Sequence, residues 1–290
     1  ELDKHGKDNG YVSLMARHHL RLAAHWLRNT QLEFPNDIKL LLARLQYQKQ
    51  EMDLWLEASD RLAVPKVPGT EIPLQDEFLL AKKPMKFEGL GPEEAYAKRH
   101  THRVVKQADV ILAMFLLQED FTTEQLREAY DFYEPMTLHY SSLSYNTHAI
   151  LALRIGRDRQ AYDYFLKAAG LDLDNLKNAT ADGLHAAALG GTWQTVFYGF
   201  LGARIYSLGC LSLNPQLPKE WQHLALQICF RGHRLAVTIT PNLCHVEVDG
   251  SEGAGQAYLM VGKRKMPLID GQDLDFPLSQ SPQPDVSPAP

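Results

Sequence analysis

Residues 102–117 read HRVVKQADVILAMFLL, and this stretch decides the fold class. Wound as a helix, it is apolar almost all round, because Val110 and Met114 lie opposite a stripe that contains Ile111 and Phe115. A helix with apolar residues on every side is buried on most of its surface. The stretch therefore predicts the centre of a helical core.

Helical patterns continue on both sides of this stretch. Residues 11–29 place apolar and arginine side chains on different faces, and a second pattern covers residues 37–62. After the core helix, Thr122 or Thr123 is a plausible N-cap, with Gln125 at the position that completes a capping box. Three more helical stretches lead to about residue 210. Paired helices joined by loops over such a length favour an all-α toroid or bundle.

The pattern changes beyond residue 212. Residues 224–240 (LALQICFRGHRLAVTIT) alternate between apolar and polar side chains, and Arg231-Gly232-His233 suits a hairpin turn. Two further strands are predicted at CHVEV and AYLMV. We therefore expect a helical domain at residues 1–211, a small β domain at 212–270, and a disordered Pro/Ser-rich tail at 271–290.

Composition narrows the class of protein and of partner. The chain has 290 residues and a net charge of −5, which gives no reason to expect nucleic acid or an anionic membrane as a partner. Three cysteines without metal spacing favour a reducing, cytoplasmic location. No apolar run approaches the roughly 20 residues of a membrane span. HExxH and GxSxG motifs are missing, so the sequence predicts neither a zinc site nor a serine hydrolase.

Residues 134–150 (EPMTLHYSSLSYNTHAI) hold a cluster of hydroxyls beside an imidazole. His139, Ser141, Ser142 and Ser144 precede a helical run. Such a cluster either caps the helix or lines a pocket for an anion, and a helix N-terminus rich in hydroxyls can do both. The residues alone leave these alternatives open.

Two other stretches are candidates for binding residues. Lys106 and Gln107 stand at the start of the core helix, either as a lysine reaching solvent with a polar first turn or as a ligand-binding pair. Residues 178–193 (NATADGLHAAALGGTW) contain His185 and the run Gly190-Gly191-Thr192. Adjacent glycines before a helix allow a ligand such as phosphate to approach the backbone closely, or they form an ordinary turn capped by Thr192.

Several segments together resemble glycoside hydrolase family 65, which includes maltose, trehalose and kojibiose phosphorylases. They are KQADVILAMFLL, FYEP followed by LHYSSLS, HAILALRIGRDRQAYDYF, LDLDN followed by ATADGLHAAALGGTW, and FRGHRLAVTIT. The resemblance runs in order over most of residues 1–265. It implies a mainly α fold, the later half of an (α/α)6 barrel followed by a small C-terminal β-sandwich domain, with the N-terminal β-sandwich and the first barrel helices absent.

The resemblance also implies a reaction, the inverting phosphorolysis of an α-glucosyl disaccharide to β-glucose 1-phosphate and a sugar. Inorganic phosphate is the co-substrate and replaces the carboxylate base of an inverting hydrolase, so no cofactor is expected. A homodimer is possible.

Residue roles follow from the same resemblance. It assigns Ser141, Ser142 and His185 to phosphate, together with the Gly190-Gly191-Thr192 turn. Lys106 and Gln107 match the pair that holds the glucosyl unit. Counting back from Tyr11 places Glu1 at the catalytic acid, although Leu2 and Asp3 depart from the family pattern there.

Two alternatives remain at this point. A hydrolase of the family, such as a trehalase or kojibiose hydrolase, would need a carboxylate in the phosphate pocket, and residues 138–146 contain none. A helical fragment that only binds sugar or a partner would belong to a different class.

Overall fold

The computed structural model describes residues 7–178, 180–206, 209–250 and 255–278. The α-helices in these ranges are α1 (Gly10–Glu33), α2 (Pro35–Arg44), α3 (Glu51–Arg61), α4 (Pro92–Ala97), α5 (Asp109–Leu116), α6 (Thr123–Tyr133), α7 (Ser144–Arg154), α8 (Asp158–Leu173) and α9 (Ala186–Gln194). The strands are β1 (Arg204–Tyr206), β2 (Cys210–Leu213), β3 (Leu224–Phe230), β4 (His233–Thr240), β5 (Leu243–Gly250), β6 (Tyr258–Val261), β7 (Arg264–Pro267) and β8 (Gln272–Pro277). The predicted class, mainly α with a C-terminal β domain, is confirmed.

The chain forms two compact units. The first contains Glu1–Gln118 and Asp131–Leu138, and the second contains Glu119–Tyr130 and His139–Pro290. The second unit therefore combines helices α7 to α9 with all of the strands. The predicted division at residue 211 differs from this, since it passes through strand β2.

Helix α5 supplies the core of the first unit, as its sequence predicts. Ile111, Ala113 and Met114 are each at most 1% exposed. The helix is shorter than the apolar pattern suggests, because Val105 lies in extended backbone that pairs in parallel with Thr137. Val105, 2% exposed, is thus buried in extended backbone and not in the helix.

The arginine face of α1 packs toward α3. Arg17 donates to the carbonyl of Leu62 at 2.6 Å, and Arg21 donates to the Asp60 carboxylate at 2.8 Å. The predicted continuous helix over residues 37–62 is wrong, because the chain divides into α2 and α3. Gln46 marks the division, since its φ of 55° lies in the left-handed region, which a right-handed helix cannot contain.

The capping box predicted for α6 is confirmed. The backbone N–H of Gln125 donates to the Thr122 hydroxyl at 3.2 Å, and the backbone N–H of Thr122 donates to the Gln125 side chain at 2.8 Å. Two N–H groups that have no partner inside the helix are satisfied in this way.

Two four-stranded sheets form a β-sandwich in the second unit. One has the order β1-β2-β6-β7, with β2 and β6 parallel, and the other is the antiparallel sheet β3-β4-β5-β8. Their inward side chains share one core that includes Leu211, Leu259, Leu235 and Val246, each 0% exposed. The predicted β3–β4 hairpin is confirmed, with Phe230 opposite His233.

Two predicted boundaries in this unit need correction. The helical pattern continues past residue 200 in the sequence, but α9 ends at Gln194, a π-helical turn covers Thr195–Phe200, and strand β1 begins at Arg204. The tail predicted from residue 271 begins too early, because residues 272–277 form β8 and pair with β5. Residues 279–290 lie outside the described part of the chain.

In the described ranges, no helix is both long and apolar enough to cross a bilayer.

Candidate functional site

The serine loop, residues 139–143, leads into helix α7. Ser141 and Ser142 are both half-buried, and the Ser141 hydroxyl accepts the backbone N–H of Leu143 at 3.3 Å. This bond tightens the loop just before the helix and leaves the Ser141 hydroxyl proton for another acceptor. The loop therefore presents two hydroxyls at the N-terminal end of an 11-residue helix.

Ser144 does not cap α7. It is the first residue of the helix and is 0% exposed, while Leu143 occupies the N-cap position without a side-chain hydrogen bond. The Ser144 carbonyl instead accepts a bond from Nδ1 of His148 at 3.0 Å. The capping role considered for Ser144 is wrong, because its side chain is turned into the protein.

Asp172 fixes the position of His185. The carboxylate accepts the ring Nδ1–H of His185 at 2.6 Å and the backbone N–H of the same residue at 2.9 Å. An ionised carboxylate can only accept, so Nδ1 carries a proton, and Nε2 is the ring nitrogen left for a ligand. The two bonds hold the pKa of Asp172 below its ordinary value. The histidine is thus oriented at a site where its side chain is 27% exposed.

Sequence reasoning missed Asp172, although LDLDN belongs to the segments that carry the family resemblance. Asp172 lies in the last turn of α8, and His185 is the N-cap residue of α9. The pairing bridges 13 residues of chain. An acidic residue near a loop before a histidine is too common a pattern to predict such a pair.

Asn146 joins the first turns of α7 and α9. Its side-chain amide donates to the carbonyl of Ala188 at 3.0 Å, and its side-chain oxygen accepts the Thr195 hydroxyl at 3.2 Å. Asn146 and Ala188 are each the third residue of their helix. The first turn of α7, which follows the serine loop, therefore packs against α9, the helix that follows His185.

The Gly190-Gly191-Thr192 segment is helical, so the predicted turn is wrong. All three residues lie inside α9, and the Thr192 hydroxyl donates to the carbonyl of Ala188 at 3.0 Å instead of capping a helix. Gly191 is needed for close packing, because a Cβ there would stand 2.4 Å from Nδ2 of Asn146. Gly190 differs, since no atom lies within 4 Å of the place a Cβ would take.

Lys106 and Gln107 lie in the first unit, just before α5. Both side chains are half-buried, and the side-chain amide of Gln107 donates to the Asp109 carboxylate at 3.0 Å. The Lys106 ammonium lies 5.8 Å from the ring centre of Tyr96. The pair is thus held by neighbouring side chains.

Glu1, the predicted catalytic acid, lies outside the described residues.

Comparison with known protein families shows which family this chain belongs to. Residues 1–194 match the model of the glycosyl hydrolase family 65 central catalytic domain, and residues 205–261 match that of the family's C-terminal domain. The chain belongs to glycosyl hydrolase family 65. The end of the first match coincides with the last residue of α9, and the second match begins within β1.

Relatives of the chain include phosphorylases of trehalose and of kojibiose. The α,α-trehalose phosphorylase of Geobacillus stearothermophilus is 37% identical over 239 residues, which cover 80% of this chain and 31% of the relative. The kojibiose phosphorylase of Caldanaerobacter subterraneus subsp. tengcongensis is 29% identical over 276 residues, covering 92% and 36%. The chain therefore spans about a third of the length of these curated relatives.

A solved structure agrees with the family assignment. A protein from the human microbiome assigned as a kojibiose phosphorylase superposes with a TM-score of 0.79 at 26% sequence identity. The superposition covers 94% of this chain and 38% of that protein. The expected family resemblance and fold class are thus both confirmed.

Proposed function

We propose that this chain carries the phosphate-binding part of an inverting glycoside phosphorylase. The enzyme would cleave an α-glucosyl disaccharide with inorganic phosphate and release β-glucose 1-phosphate and a second sugar. The contact between Asn146 and Ala188 gives the main structural support, because it packs the first turn of α7, which follows the serine loop, against α9, which follows His185. Helix N-termini carry partial positive charge and favour an anion, and here hydroxyls and an imidazole stand beside them.

Ser141, Ser142 and His185 are the proposed phosphate ligands. The serine hydroxyls donate to phosphate oxygens, while Asp172 fixes the His185 ring so that Nε2 faces the anion. Gly190 has open space beside its Cα, which leaves room for the ligand. Gly191 and Thr192 are occupied by contacts with Asn146 and Ala188, so we assign them to packing.

In the proposed reaction an oxygen of the bound phosphate attacks the anomeric carbon. A carboxylic acid, for which Glu1 is the candidate, donates its proton to the glycosidic oxygen as the bond to that carbon breaks. Lys106 and Gln107 are the candidates for holding the glucosyl unit. Because phosphate is already an anionic nucleophile, the reaction needs no catalytic base and no cofactor.

The hydrolase alternative requires a carboxylate that activates water. Asp172 lies beside His185, but both of its carboxylate oxygens already accept hydrogen bonds from that histidine. This arrangement suits the orientation of a phosphate ligand better than the activation of water.

The experiment compares wild type with Ser141→Ala/Ser142→Ala in the native polypeptide that contains these residues. Initial rates are measured over a series of phosphate concentrations with trehalose, kojibiose and maltose. We expect the double variant to raise the phosphate KM by roughly 100-fold, because two hydrogen bonds to a charged ligand are lost. An unchanged phosphate KM, or a wild-type rate independent of phosphate, would contradict the proposal. Light scattering of the same protein tests the predicted homodimer.

A further inference from the structure

His139 opens the serine loop in an unusual backbone conformation. Its φ of 49° lies in the left-handed region, which residues other than glycine seldom adopt. Such a conformation persists only where its surroundings hold it, and functional sites are common places for it. The bend at His139 determines the direction in which the chain continues to Ser141 and Ser142.

Aromatic side chains hold the ring of His139. The ring stacks on Tyr145, with centroids 5.1 Å apart and planes inclined by 8°. It also lies edge-on to His148, at 4.5 Å between centroids, and its Nε2 is 3.3 Å from the hydroxyl of Tyr164. The ring is therefore fixed by residues of α7 and α8.

Lys177 holds the backbone of the same bend. Its ammonium donates to the carbonyl of His139 at 3.0 Å and to the carbonyl of Tyr140 at 2.5 Å. These are the two peptide groups immediately before Ser141. The ammonium also lies 5.7 Å from the centre of the Tyr145 ring, over which the His139 ring is stacked. Lys177 thus connects the segment that follows α8 with the start of the serine loop.

We propose that Lys177 is a positioning residue for the phosphate site. Its two bonds keep the carbonyls of His139 and Tyr140 turned toward the ammonium, so that the next residues present their hydroxyls to phosphate. Charge-assisted hydrogen bonds are stronger than neutral ones, which suits the task of holding a strained bend. The inference rests on the proposed function, since it gives Lys177 a role through Ser141 and Ser142.

The experiment measures separate KM values for phosphate and for the disaccharide in Lys177→Met, Lys177→Arg and Lys167→Met. Methionine has a similar length without donors, and arginine restores them. Lys167 is a matched control, because its ammonium lies 5.6 Å from the Tyr145 ring centre and 5.3 Å from that of Tyr164. Melting temperatures of all variants accompany the kinetics.

We expect Lys177→Met to raise the phosphate KM roughly 10-fold or more, with the disaccharide KM within about twofold of wild type. Lys177→Arg should recover part of the loss, and Lys167→Met should change neither constant. Equal rises in both KM values, or an unchanged phosphate KM, would overturn the inference. Should Lys177→Met fail to fold, Lys177→Arg tests the inference. Arginine places its donors differently from lysine, so this variant should still raise the phosphate KM more than the disaccharide KM.

The two proposals fail in different ways. A wild-type rate that does not depend on phosphate contradicts the proposed function itself. A phosphate-dependent enzyme that responds to Ser141→Ala/Ser142→Ala and does not respond to Lys177→Met contradicts only the role of Lys177.

Discussion

Exchanging each of the two adjacent glycines of α9 for alanine tests how α7 and α9 meet. At Gly191 the new Cβ would stand 2.4 Å from Nδ2 and 2.9 Å from Cγ of Asn146. Asn146 is 4% exposed and cannot swing away without losing its bonds to Ala188 and Thr195. At Gly190 the added methyl group meets open space.

The expected changes in the free energy of unfolding have opposite signs. Overpacking at Gly191 costs about 1–3 kcal/mol, and weakening two hydrogen bonds costs about 1 kcal/mol each. The higher helix propensity of alanine offsets about 1 kcal/mol of this destabilisation. Gly191→Ala should therefore lower stability by about 2–4 kcal/mol. Gly190→Ala has no clash and should raise it by about 0.5–1 kcal/mol.

Urea denaturation followed by circular dichroism measures both variants beside wild type. Gly190→Ala acts as the matched control, since it makes the same exchange one residue away in the same helix. A Gly191→Ala protein as stable as wild type, or equal losses for the two variants, would refute the packing of Asn146 between the helices.

Three further predictions concern other parts of the chain. The pKa of Asp172 is lowered in the folded protein, so its contribution to stability is present above the ordinary value of 3.8 and is lost as the pH falls through the folded pKa. In acid denaturation, Asp172→Asn should therefore lose less stability than wild type below pH 3.8. Parallel curves for the two proteins would contradict the pairing of Asp172 with His185. Cys229 is exposed, whereas burial raises the pKa of Cys244 to about 12 and also raises that of Cys210. A thiol reagent at neutral pH should therefore label Cys229 rapidly and the other two cysteines only after denaturation. Fast labelling of all three thiols would contradict the sandwich core. Tyr133 is 1% exposed, and its hydroxyl donates to the carbonyl of Pro73 at 2.7 Å. Tyr133→Phe should lower the free energy of unfolding by about 1–3 kcal/mol, because that carbonyl loses its donor. An unchanged urea midpoint would contradict this.

The elements with strong periodicity could be predicted from the sequence. The β3–β4 hairpin alternates regularly, and the pairing of Leu226 with Val237 follows from that alternation and the short turn. The α6 capping box could be predicted because its two partners, Thr122 and Gln125, are three residues apart. Local patterns of this kind carry their own geometry.

The remaining features depend on contacts between distant residues. Gly190 and Gly191 look alike in the sequence, and only the approach of Asn146 distinguishes them. Strand β8 was missed because the short run 272–277 gains its place by pairing with β5. The role proposed for Lys177 rests on contacts with residues 37 and 38 positions earlier in the chain, which no local pattern reveals.

The identification of products from an α-glucosyl disaccharide, with and without inorganic phosphate, tests the central claim most directly. Anomeric proton NMR of the native polypeptide that contains these residues should show β-glucose 1-phosphate and free sugar when phosphate is present, and no cleavage when it is omitted. Equal release of free glucose in both samples would contradict the phosphate site, and so would the absence of glucose 1-phosphate with trehalose, kojibiose and maltose alike.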